Sequence, residues 1–491
     1  MSSIQLFNTL TSKKEKLVPL KENKIKMYCC GVTPYSNTHI GHSRTFFSYD
    51  LLYRTLVDNK YDVDWARNIT DVDDKIINKA KNENISCQEL VARYVTEQNS
   101  FLDQFDLFKP SHEPKVTESM TEIINLISNL IEKEFAYASS TGVYFRVRKY
   151  NDYGKLSGNK IDDLKVGARI EVDESKEDPL DFALWKFCKE EDIFWDSPWG
   201  KGRPGWHVEC SAMIHSLFGD SLDIHMGGRD LIFPHHEAEI AQSESSSGKP
   251  LANSWIHAGM VTLYGEKMSK STNHFVSIKD FLDKYPPEVL RLVFLSCSYS
   301  QPLDFTFELV NENLKKLSKL YRFVSLINFY NDEEDSAKEE FSNEIFSDLE
   351  SLPSKMKNSI ADDLNSGAAL ATLWSFIKQI NFQLAQLEKS NKKLNQKDKT
   401  FLKLHWENFK KWLKNALGIL VQNPDSFFSS LRKYNLISEI SLQEIDCKIK
   451  ERKTARDNKD WVKSDAIRDE LISHGIQIQD TPSGTKWTII I

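Results

Sequence analysis

The first 80 residues alternate between short apolar runs and one stretch with helical spacing. Lys24–Cys30 and Tyr61–Ile69 each predict a strand, and the apolar positions from His39 to Leu56 recur at the spacing of a helix face. A strand, a helix and a strand in this order predict a βαβ unit with parallel strands. We therefore expect the chain to begin with an α/β core.

A more polar segment interrupts this core after a helical pattern that starts beyond Thr117. The segment contains two short β-like pieces, Val143–Arg148 and Arg169–Val172, and its glycine, aspartate and lysine content is typical of an insertion. Apolar density returns from Asp181. We expect a helix to begin after Phe233–Pro234, because proline suits the first turn of a helix.

The last third of the chain predicts a helical bundle and then a small mixed unit. From Val310 the apolar spacing stays helical for about 110 residues, until Asn423–Phe427 interrupts it. The pattern that follows predicts two helices and then two strands, at Ser441–Lys453, Asp460–Ser473, Ile476–Ile478 and Lys486–Ile491.

Length and composition exclude several classes of protein. The 491 residues exceed a single globular core, and a hydrophobic content of 40% excludes a wholly disordered chain. Apolar runs such as Ile123–Leu130 are far shorter than the roughly 20 residues that span a bilayer, and Met1–Leu10 lacks an export pattern. Seven cysteines without tight spacing suit a reducing compartment. We therefore expect a cytoplasmic protein with no membrane partner.

The net charge of −7 hides an uneven distribution. Asn331–Glu350 holds nine acidic residues and one lysine, whereas Glu388–Lys414 holds nine lysines and three acidic residues. A polyanion responds to the local field, so the net charge does not exclude a nucleic-acid partner. Both runs are equally compatible with solvated helix faces.

His39-Ile40-Gly41-His42 follows the first predicted strand, where a helix begins. Free N–H groups and the helix dipole attract phosphate at such a position, and two histidines three residues apart lie on one helix face. Gly41 leaves room for a nucleotide. Taken alone, the segment is equally compatible with a capping histidine and a packed one.

Lys267-Met268-Ser269-Lys270-Ser271 follows the β-like segment Gly259–Leu263 and offers mobile cations and hydroxyl groups to a polyphosphate. Alone it predicts only a solvated basic turn. Together with the histidine pair, about 225 residues earlier, it resembles the signature pair of the class I aminoacyl-tRNA synthetases.

Four further residues have the side chains of a tetrahedral zinc site. His235 and Glu239 lie four apart on a predicted helix, and two thiols complete the set, which is Cys30, Cys210, His235 and Glu239. A zinc protease motif is excluded, because the residue four positions after His236 is Ile240. The other five cysteines fit packing roles.

The chain as a whole resembles the cysteinyl-tRNA synthetase family. The segments that carry the resemblance are Cys30-Gly31-Val32-Thr33, His39–His42, Trp206–Cys210, His235–Glu239, Lys267–Ser271, Asp465–Asp469 and Gly484–Trp487. The resemblance implies that Zn²⁺ on Cys30, Cys210, His235 and Glu239 receives the thiolate of the substrate L-cysteine. A thiolate binds zinc far better than a serine hydroxyl, so this one bond would supply discrimination of roughly 10⁴–10⁵ without an editing domain.

The resemblance also implies the rest of the reaction. His39 and His42 would stabilise the α-phosphate of ATP, the lysines would hold the departing pyrophosphate, and Mg²⁺ would arrive with ATP. The implied ATP-binding residues are His39, Gly41, His42, Lys267, Ser269 and Lys270. The implied amino-acid pocket comprises Gly31, Thr70, Trp206 and Asp230.

Some of these roles have alternatives. Thr70 could equally cap the end of a strand, and Trp206 could equally be an aromatic residue of the core. Asp230 could contact the ribose instead of the amino acid. The resemblance implies tRNA(Cys) as partner and a monomeric enzyme. Trp487 is a candidate for stacking on an anticodon base, although packing at the end of a strand explains it as well.

The sequence departs from the family pattern at two places. Thr272-Asn273-His274-Phe275 replaces Leu-Gly-Asn-Phe after the lysine loop, which predicts a stiffer loop. Ala238 stands where the family usually has asparagine, at a position expected to point away from the metal.

The expected fold class is α/β, with a Rossmann-like parallel-sheet catalytic core that carries an insertion, followed by an α-helical bundle and a small mixed α/β C-terminal domain. We place the core at 1–116 and 201–258, the insertion at 117–200 and the connector with the lysine loop at 259–309. The tRNA-binding bundle would span 310–423 and the anticodon-recognition domain 424–491.

Two other functions share part of these motifs. A related ligase joins cysteine to an amino-sugar inositol, but it has no need of the roughly 180 residues that follow Val310. A non-catalytic zinc protein that binds RNA has no need of His39, His42, Lys267 and Lys270. We therefore favour a cysteine–tRNA ligase.

Overall fold

The computed structural model describes most of the chain. The described residues are 3–161, 175–188, 193–268, 274–332, 343–389, 395–434, 436, 440–481 and 484–489. The positions named above that lie outside them include Arg169–Val172, Ser269, Lys270, Ser271, Thr272, Asn273, Ile490 and Ile491.

The first part of the chain contains the strands and helices of the core and its insertion. Its strands are β1 (Gln5–Asn8), β2 (Lys13–Lys16), β3 (Lys24–Cys29), β4 (Asp62–Arg67), β5 (Ala136–Ala138), β6 (Gly142–Phe145), β7 (Phe182–Phe187), β8 (Gly202–Pro204), β9 (Leu222–Gly228) and β10 (Ala252–Ala258). Its α-helices are α1 (Ile40–Asp58), α2 (Asp74–Glu83), α3 (Cys87–Gln104), α4 (Met120–Glu132), α5 (Trp206–Phe218) and α6 (Glu237–Ser247).

A four-stranded parallel sheet forms the core, in the order β10-β9-β3-β4. Helix α1 connects β3 to β4, so the predicted βαβ unit is confirmed. Side chains alternate between the two faces of β3: Met27 and Cys29 belong to one buried cluster, and Tyr28 and Cys30 to another. This alternation separates two neighbouring cysteines that the sequence places side by side.

The insertion forms an antiparallel sheet of its own, in the order β5-β6-β7-β8. Strand β8, Gly202–Pro204, completes this sheet and leads directly into α5. The boundary expected at residue 200 therefore falls just before the last strand of the insertion sheet.

The second part of the chain is mainly helical. Its strands are β11 (Val261–Leu263), β12 (Glu266–Lys267), β13 (Leu303–Phe305), β14 (Ile476–Thr481) and β15 (Gly484–Ile489). Its helices are α7 (Ile278–Leu282), α8 (Pro287–Leu295), α9 (Phe307–Asp332), α10 (Asn343–Ala361), α11 (Ser366–Lys389), α12 (Gln396–Leu417), α13 (Pro424–Lys433), α14 (Leu442–Asp457) and α15 (Trp461–Ser473). No described helix is long and apolar enough to cross a membrane.

Helix α13 packs on the bundle, although the sequence assigns it to the C-terminal unit. The ring of Phe427 stacks on Tyr321 of α9, with centroids 4.1 Å apart and planes 11° apart. Trp487 of β15 is only 4% exposed, and the guanidinium of Arg322 lies over its ring. Because this ring is buried, Trp487 is a packing residue, and the stacking role considered for it is wrong.

Candidate active site

The candidate site residues collect at the carboxyl edge of the parallel sheet. Cys30 and Gly31 follow β3, Thr70 follows β4, and Asp230 follows β9. Parallel strands all end at the same edge, which is where open α/β sheets bind their ligands. Residues far apart in the sequence therefore meet there.

Four buried side chains form the predicted metal set. The ligating atoms of Cys30, Cys210, His235 and Glu239 all lie within 4.8 Å of one another. His235 Nε2 is 3.0 Å from Glu239 Oε1, and Cys30 Sγ is 3.6 Å from the same oxygen. All four residues are almost fully buried, and buried ionisable groups of this kind are paired with each other or coordinate a metal.

A second donor set overlaps the first and was missed by sequence reasoning. It combines Cys30 and Glu239 with His225 and His236. His225 Nε2 lies 2.8 Å from Glu239 Oε2, and His236 Nε2 lies 3.3 Å from Cys30 Sγ. The sequence shows that His236 is adjacent to His235 and could therefore be a ligand as well. Only the fold shows that strand β9 brings His225 to the Glu239 carboxylate.

Burial and close contacts shift the pKa values of several groups in and around this cluster. A hydrogen bond with Cys30 lowers the pKa of Cys210 to about 6, against the effect of burial. Although burial opposes it, the Glu239 carboxylate raises the pKa of His235 to about 10. Burial lowers the pKa of His207 to about 3, so this ring is neutral. These shifts reflect the close packing of ionisable groups in the cluster.

The turn before α6 contains His235, the histidine of the predicted metal set, and its neighbour His236. The helix expected to begin after Phe233–Pro234 is present: Phe233 has extended backbone angles (φ −136°, ψ 133°), and the helical turn through Pro234 continues into the regular α-helix that begins at Glu237. Glu237 points to the insertion, where its carboxylate accepts N–H groups of Gly154 and Ser157 at 2.9 and 2.8 Å. Ala238, the departure from the family pattern, is buried and belongs to neither donor set.

A chain of hydrogen bonds lines the cluster on the side of β4. Gly31 N donates to Asn68 Oδ1 at 2.8 Å, Asn68 Nδ2 donates to Thr70 Oγ1 at 3.1 Å, and Thr70 donates to Glu209 Oε2 at 3.3 Å. A Cβ atom on Gly31 would lie 1.9 Å from the Asn68 carbonyl oxygen, so this position requires glycine. Asn68 and Glu209 received no role from the sequence.

Trp206 and Asp230 are the more exposed candidates. The Trp206 ring stacks on His235 at 4.3 Å with an angle of 20°, and 40% of the residue remains accessible. Trp206 is therefore not a core aromatic. Asp230 is exposed just beyond Gly228, at the end of β9.

His39 and His42 lie together at the start of α1. Their rings stack with centroids 3.6 Å apart. His39 is the N-cap, and its Nδ1 accepts the N–H groups of Gly41 and His42 at 3.1 and 3.4 Å. A Cβ on Gly41 would approach the His39 ring within 3.0 Å, so glycine at position 41 makes room for the capping ring.

The end of the lysine loop pairs directly with this motif. Ile40 N donates to Val276 O at 3.1 Å, and Ile278 N donates to Thr38 O at 3.0 Å. Lys267 is exposed at the end of β12. The segment Val276–Ile278, which follows the lysine motif, is thus joined to the histidine motif by backbone hydrogen bonds. Ser269 and Lys270 lie outside the described residues.

Comparison with known proteins identifies the domains of the chain and proteins of similar fold. The family model described as the class I (C) tRNA synthetase catalytic domain matches residues 16–315, and a DALR domain model matches residues 355–422. A methionyl-tRNA synthetase of Mycobacterium tuberculosis, solved with methionyl-adenylate, has a similar fold, with a TM-score of 0.63 and 15% identity over 86% of this chain and 95% of that one.

Curated relatives match over the full length. A cysteine–tRNA ligase of Maridesulfovibrio salexigens is 42% identical over 489 residues, or 99% of this chain and 100% of the relative. Another, from Thermodesulfovibrio yellowstonii, is 43% identical over 494 residues, with 99% and 100% covered. The chain therefore belongs to the cysteine–tRNA ligase family, within the class I aminoacyl-tRNA synthetases.

Proposed function

We propose that this enzyme joins L-cysteine to tRNA(Cys) and selects the amino acid through a zinc ion held by Cys30, Cys210, His235 and Glu239. The reaction has two steps. The cysteine carboxylate attacks the α-phosphorus of ATP, which releases pyrophosphate, and a hydroxyl at the 3′ end of the tRNA then attacks the carbonyl of cysteinyl-adenylate, which releases AMP. The observation that carries the proposal is the buried donor cluster at the sheet edge that also holds the histidine pair.

The donor chemistry favours the set with two thiols. Zinc prefers soft thiolate ligands together with imidazole, and a hydrogen bond with Cys30 already lowers the pKa of Cys210 to about 6. His225 already uses its Nε2 in a contact with Glu239 Oε2. A zinc ion held by these residues would supply a Lewis acid that favours a thiolate ligand over a serine hydroxyl.

Neighbouring side chains fix the orientation of these ligands. His207 Nδ1 lies 3.0 Å from His235 Nδ1, so His235 can donate from Nδ1 while its Nε2 faces Glu239. His225 bonds the second oxygen of Glu239. Trp206 covers the His235 ring and, with Gly31, Thr70 and Asp230, would line the pocket for the amino acid.

The ATP site is supported by the cap geometry of α1. Because His39 Nδ1 accepts two backbone N–H groups, the neutral ring carries its proton on Nε2 and can donate it to a phosphate oxygen. Gly41 and the stacked His42 complete this end of the helix. Negative charge that develops on the α-phosphate is stabilised by such donors and by the helix N-terminus.

The basic loop would hold the leaving group. Lys267, Ser269 and Lys270 are proposed to bind the pyrophosphate, and Mg²⁺ arrives with ATP. The pairing of Val276–Ile278 with Thr38–Ile40 supports this role, because it anchors the end of the loop beside the phosphate site. We further propose that the enzyme acts as a monomer in the cytoplasm.

The C-terminal part distinguishes this function from the amino-sugar inositol ligase. The curated ligases align with the whole chain, including the lysine-rich helix α12 and the β14–β15 unit. We propose that residues beyond 310 bind tRNA and that the last unit reads the anticodon. Helix α13, at the start of the unit placed at 424–491, contacts the bundle through Phe427, so a deletion that spares this contact begins at residue 441.

Removal of residues 441–491 tests whether the last unit is needed for charging of tRNA(Cys) but not for activation of cysteine. We expect the shortened chain to keep cysteine-dependent ATP–pyrophosphate exchange within about 3-fold and to lose charging of tRNA(Cys) by 10²-fold or more, since base contacts would be lost. The exchange activity serves as the control for folding. Unchanged charging would contradict the anticodon role.

A further inference from the structure

Tyr28 lies against the proposed zinc site, and the chemistry already described leaves it without a role. We propose that its hydroxyl donates a hydrogen bond to the metal-bound sulfur of Cys210, which makes Tyr28 a positioning residue for cysteine recognition. The inference rests on the proposed function, because it concerns the state in which Cys210 is a metal ligand.

The strand register places Tyr28 on the side of the cluster. Tyr28 and Cys30 share one face of β3, whereas Cys29 between them points to the other buried cluster. Tyr28 is fully buried, and its ring lies 5.5 Å from that of His225, at an angle of 56°. The ring is therefore held between the sheet and the donor cluster.

The Tyr28 hydroxyl faces Cys210 but has no hydrogen bond of normal geometry to any described residue. Burial raises the pKa of Tyr28, and the nearby sulfurs of Cys210 and Cys30 raise it further. The nearby Tyr49 differs, because its buried hydroxyl donates to the Cys30 carbonyl at 2.9 Å. Most buried hydroxyl groups have such a partner, so Tyr28 is an exception that requires an explanation.

A metal-bound thiolate supplies the missing acceptor. A thiol accepts hydrogen bonds weakly, whereas a thiolate accepts them strongly, and a zinc ligand is deprotonated. Both sulfurs have other neighbours in the cluster, and Cys210 is the better acceptor because the Tyr28 hydroxyl faces Cys210 rather than Cys30. A phenylalanine at position 28 would fill the same volume and leave the sulfur without its donor.

A hydrogen bond to a ligating sulfur has a defined electronic consequence. It draws electron density from the sulfur, so the metal stays a stronger Lewis acid and binds the incoming substrate thiolate more tightly. Loss of the bond should therefore weaken cysteine binding and make the Cys210 sulfur a better electron donor. ATP binding, which does not involve this sulfur, should not change.

The test replaces zinc by Co²⁺ in the full-length enzyme and compares wild type with Tyr28→Phe. We expect one Co²⁺ per chain in both, a sulfur-to-cobalt absorption band at longer wavelength in Tyr28→Phe, and a KM for cysteine raised about 10-fold with an unchanged KM for ATP. The matched control is Tyr321→Phe in the bundle, which removes a buried hydroxyl that donates to Glu288 of α8 and should leave the band in place. An identical band in wild type and Tyr28→Phe overturns the inference.

A second variant tests the inference in case Tyr28→Phe does not fold. Incorporation of 3-fluorotyrosine at position 28 keeps the ring and makes the hydroxyl a stronger donor, so the band should move to shorter wavelength. A band that does not move, in protein that binds Co²⁺, again overturns the inference. If wild-type enzyme shows no sulfur-to-cobalt band at all, the proposed zinc site itself is wrong, and that outcome is separate from a failure of the Tyr28 role alone.

Discussion

Asp50 and Arg291 form a fully buried ion pair, with Oδ2 and Nη1 2.7 Å apart. Asp50 belongs to α1, the helix that begins at His39, and Arg291 belongs to α8, which follows the lysine loop. Arg54 binds the same carboxylate oxygen at 2.7 Å and also donates to the carbonyls of Lys414 and Asn415 at the end of α12. One carboxylate therefore joins the catalytic helix, the connector and the bundle.

Substitution of Asp50 by asparagine should destabilise the enzyme strongly. Two buried guanidinium groups would lose their counter-charge, which costs about 3–5 kcal/mol when one partner of a buried pair is removed. The matched control is Asp283→Asn, because Asp283 pairs with Lys279 on the surface and should contribute less than about 0.5 kcal/mol. Urea denaturation of both variants measures the difference, and equal stabilities would contradict the assignment.

Glu288 should make stability depend on pH near neutrality. Burial raises the pKa of Glu288 to about 7, against hydrogen bonds from Tyr321 and from the N–H of Leu420. The folded pKa lies above the unfolded value, so this contribution is fully present below about pH 4.5 and is lost as the pH rises through 7. The full change is on the order of 3 kcal/mol.

Glu288→Gln isolates this effect, since glutamine does not titrate. The difference in thermal midpoint between wild type and Glu288→Gln should change in favour of the variant between pH 5 and pH 8. A difference that stays constant over this range would show that Glu288 titrates near its ordinary pKa.

We expect His39 both to cap α1 and to donate a hydrogen bond to ATP. His39→Asn keeps a side chain that can cap α1, whereas His39→Ala loses the cap and about 1 kcal/mol of stability. Both variants lose the Nε2–H donor, so both should lose ATP–pyrophosphate exchange by about 10²–10³-fold. Full ATP–pyrophosphate exchange in His39→Asn would show that His39 only caps α1 and does not contact ATP.

Gly31 should tolerate no side chain. The Cβ of Gly31→Ala would collide with the Asn68 carbonyl and displace the backbone beside Cys30, so kcat/KM for cysteine in the exchange reaction should fall by about 10²-fold. Gly367→Ala is the matched control: its Cβ would meet no atom closer than 3.7 Å, and it lies in α11, where alanine favours the helix. Equal kinetics in the two variants would contradict the proposed role.

Much of the fold could be read from local patterns. The βαβ unit was predictable because β3 and α1 have clean apolar periodicity, and the cluster of four possible metal ligands was predictable because cysteine, histidine and glutamate at these positions resemble a family pattern. The helix expected after Phe233–Pro234 was also predictable, because proline suits the first turn of a helix and the turn through Pro234 continues into the regular helix.

The remaining site residues depend on contacts that sequence spacing does not reveal. His225 lies on a strand otherwise rich in apolar residues, and only the pairing of β9 with β3 brings it to Glu239. Asn68 and Glu209 belong to different elements and meet only through Thr70. Trp487 resembled a stacking residue because periodicity does not report that Arg322 and Phe428 enclose its ring.

The most direct test of the account measures zinc content and cysteine-dependent ATP–pyrophosphate exchange in wild type, Cys210→Ser and Cys447→Ser. Cys447 is an exposed thiol and serves as the control. We predict one zinc per chain and exchange with cysteine but not serine in wild type and Cys447→Ser, and loss of both zinc and exchange in Cys210→Ser. Full exchange with cysteine in a zinc-free Cys210→Ser enzyme would contradict recognition of the substrate thiolate by the metal.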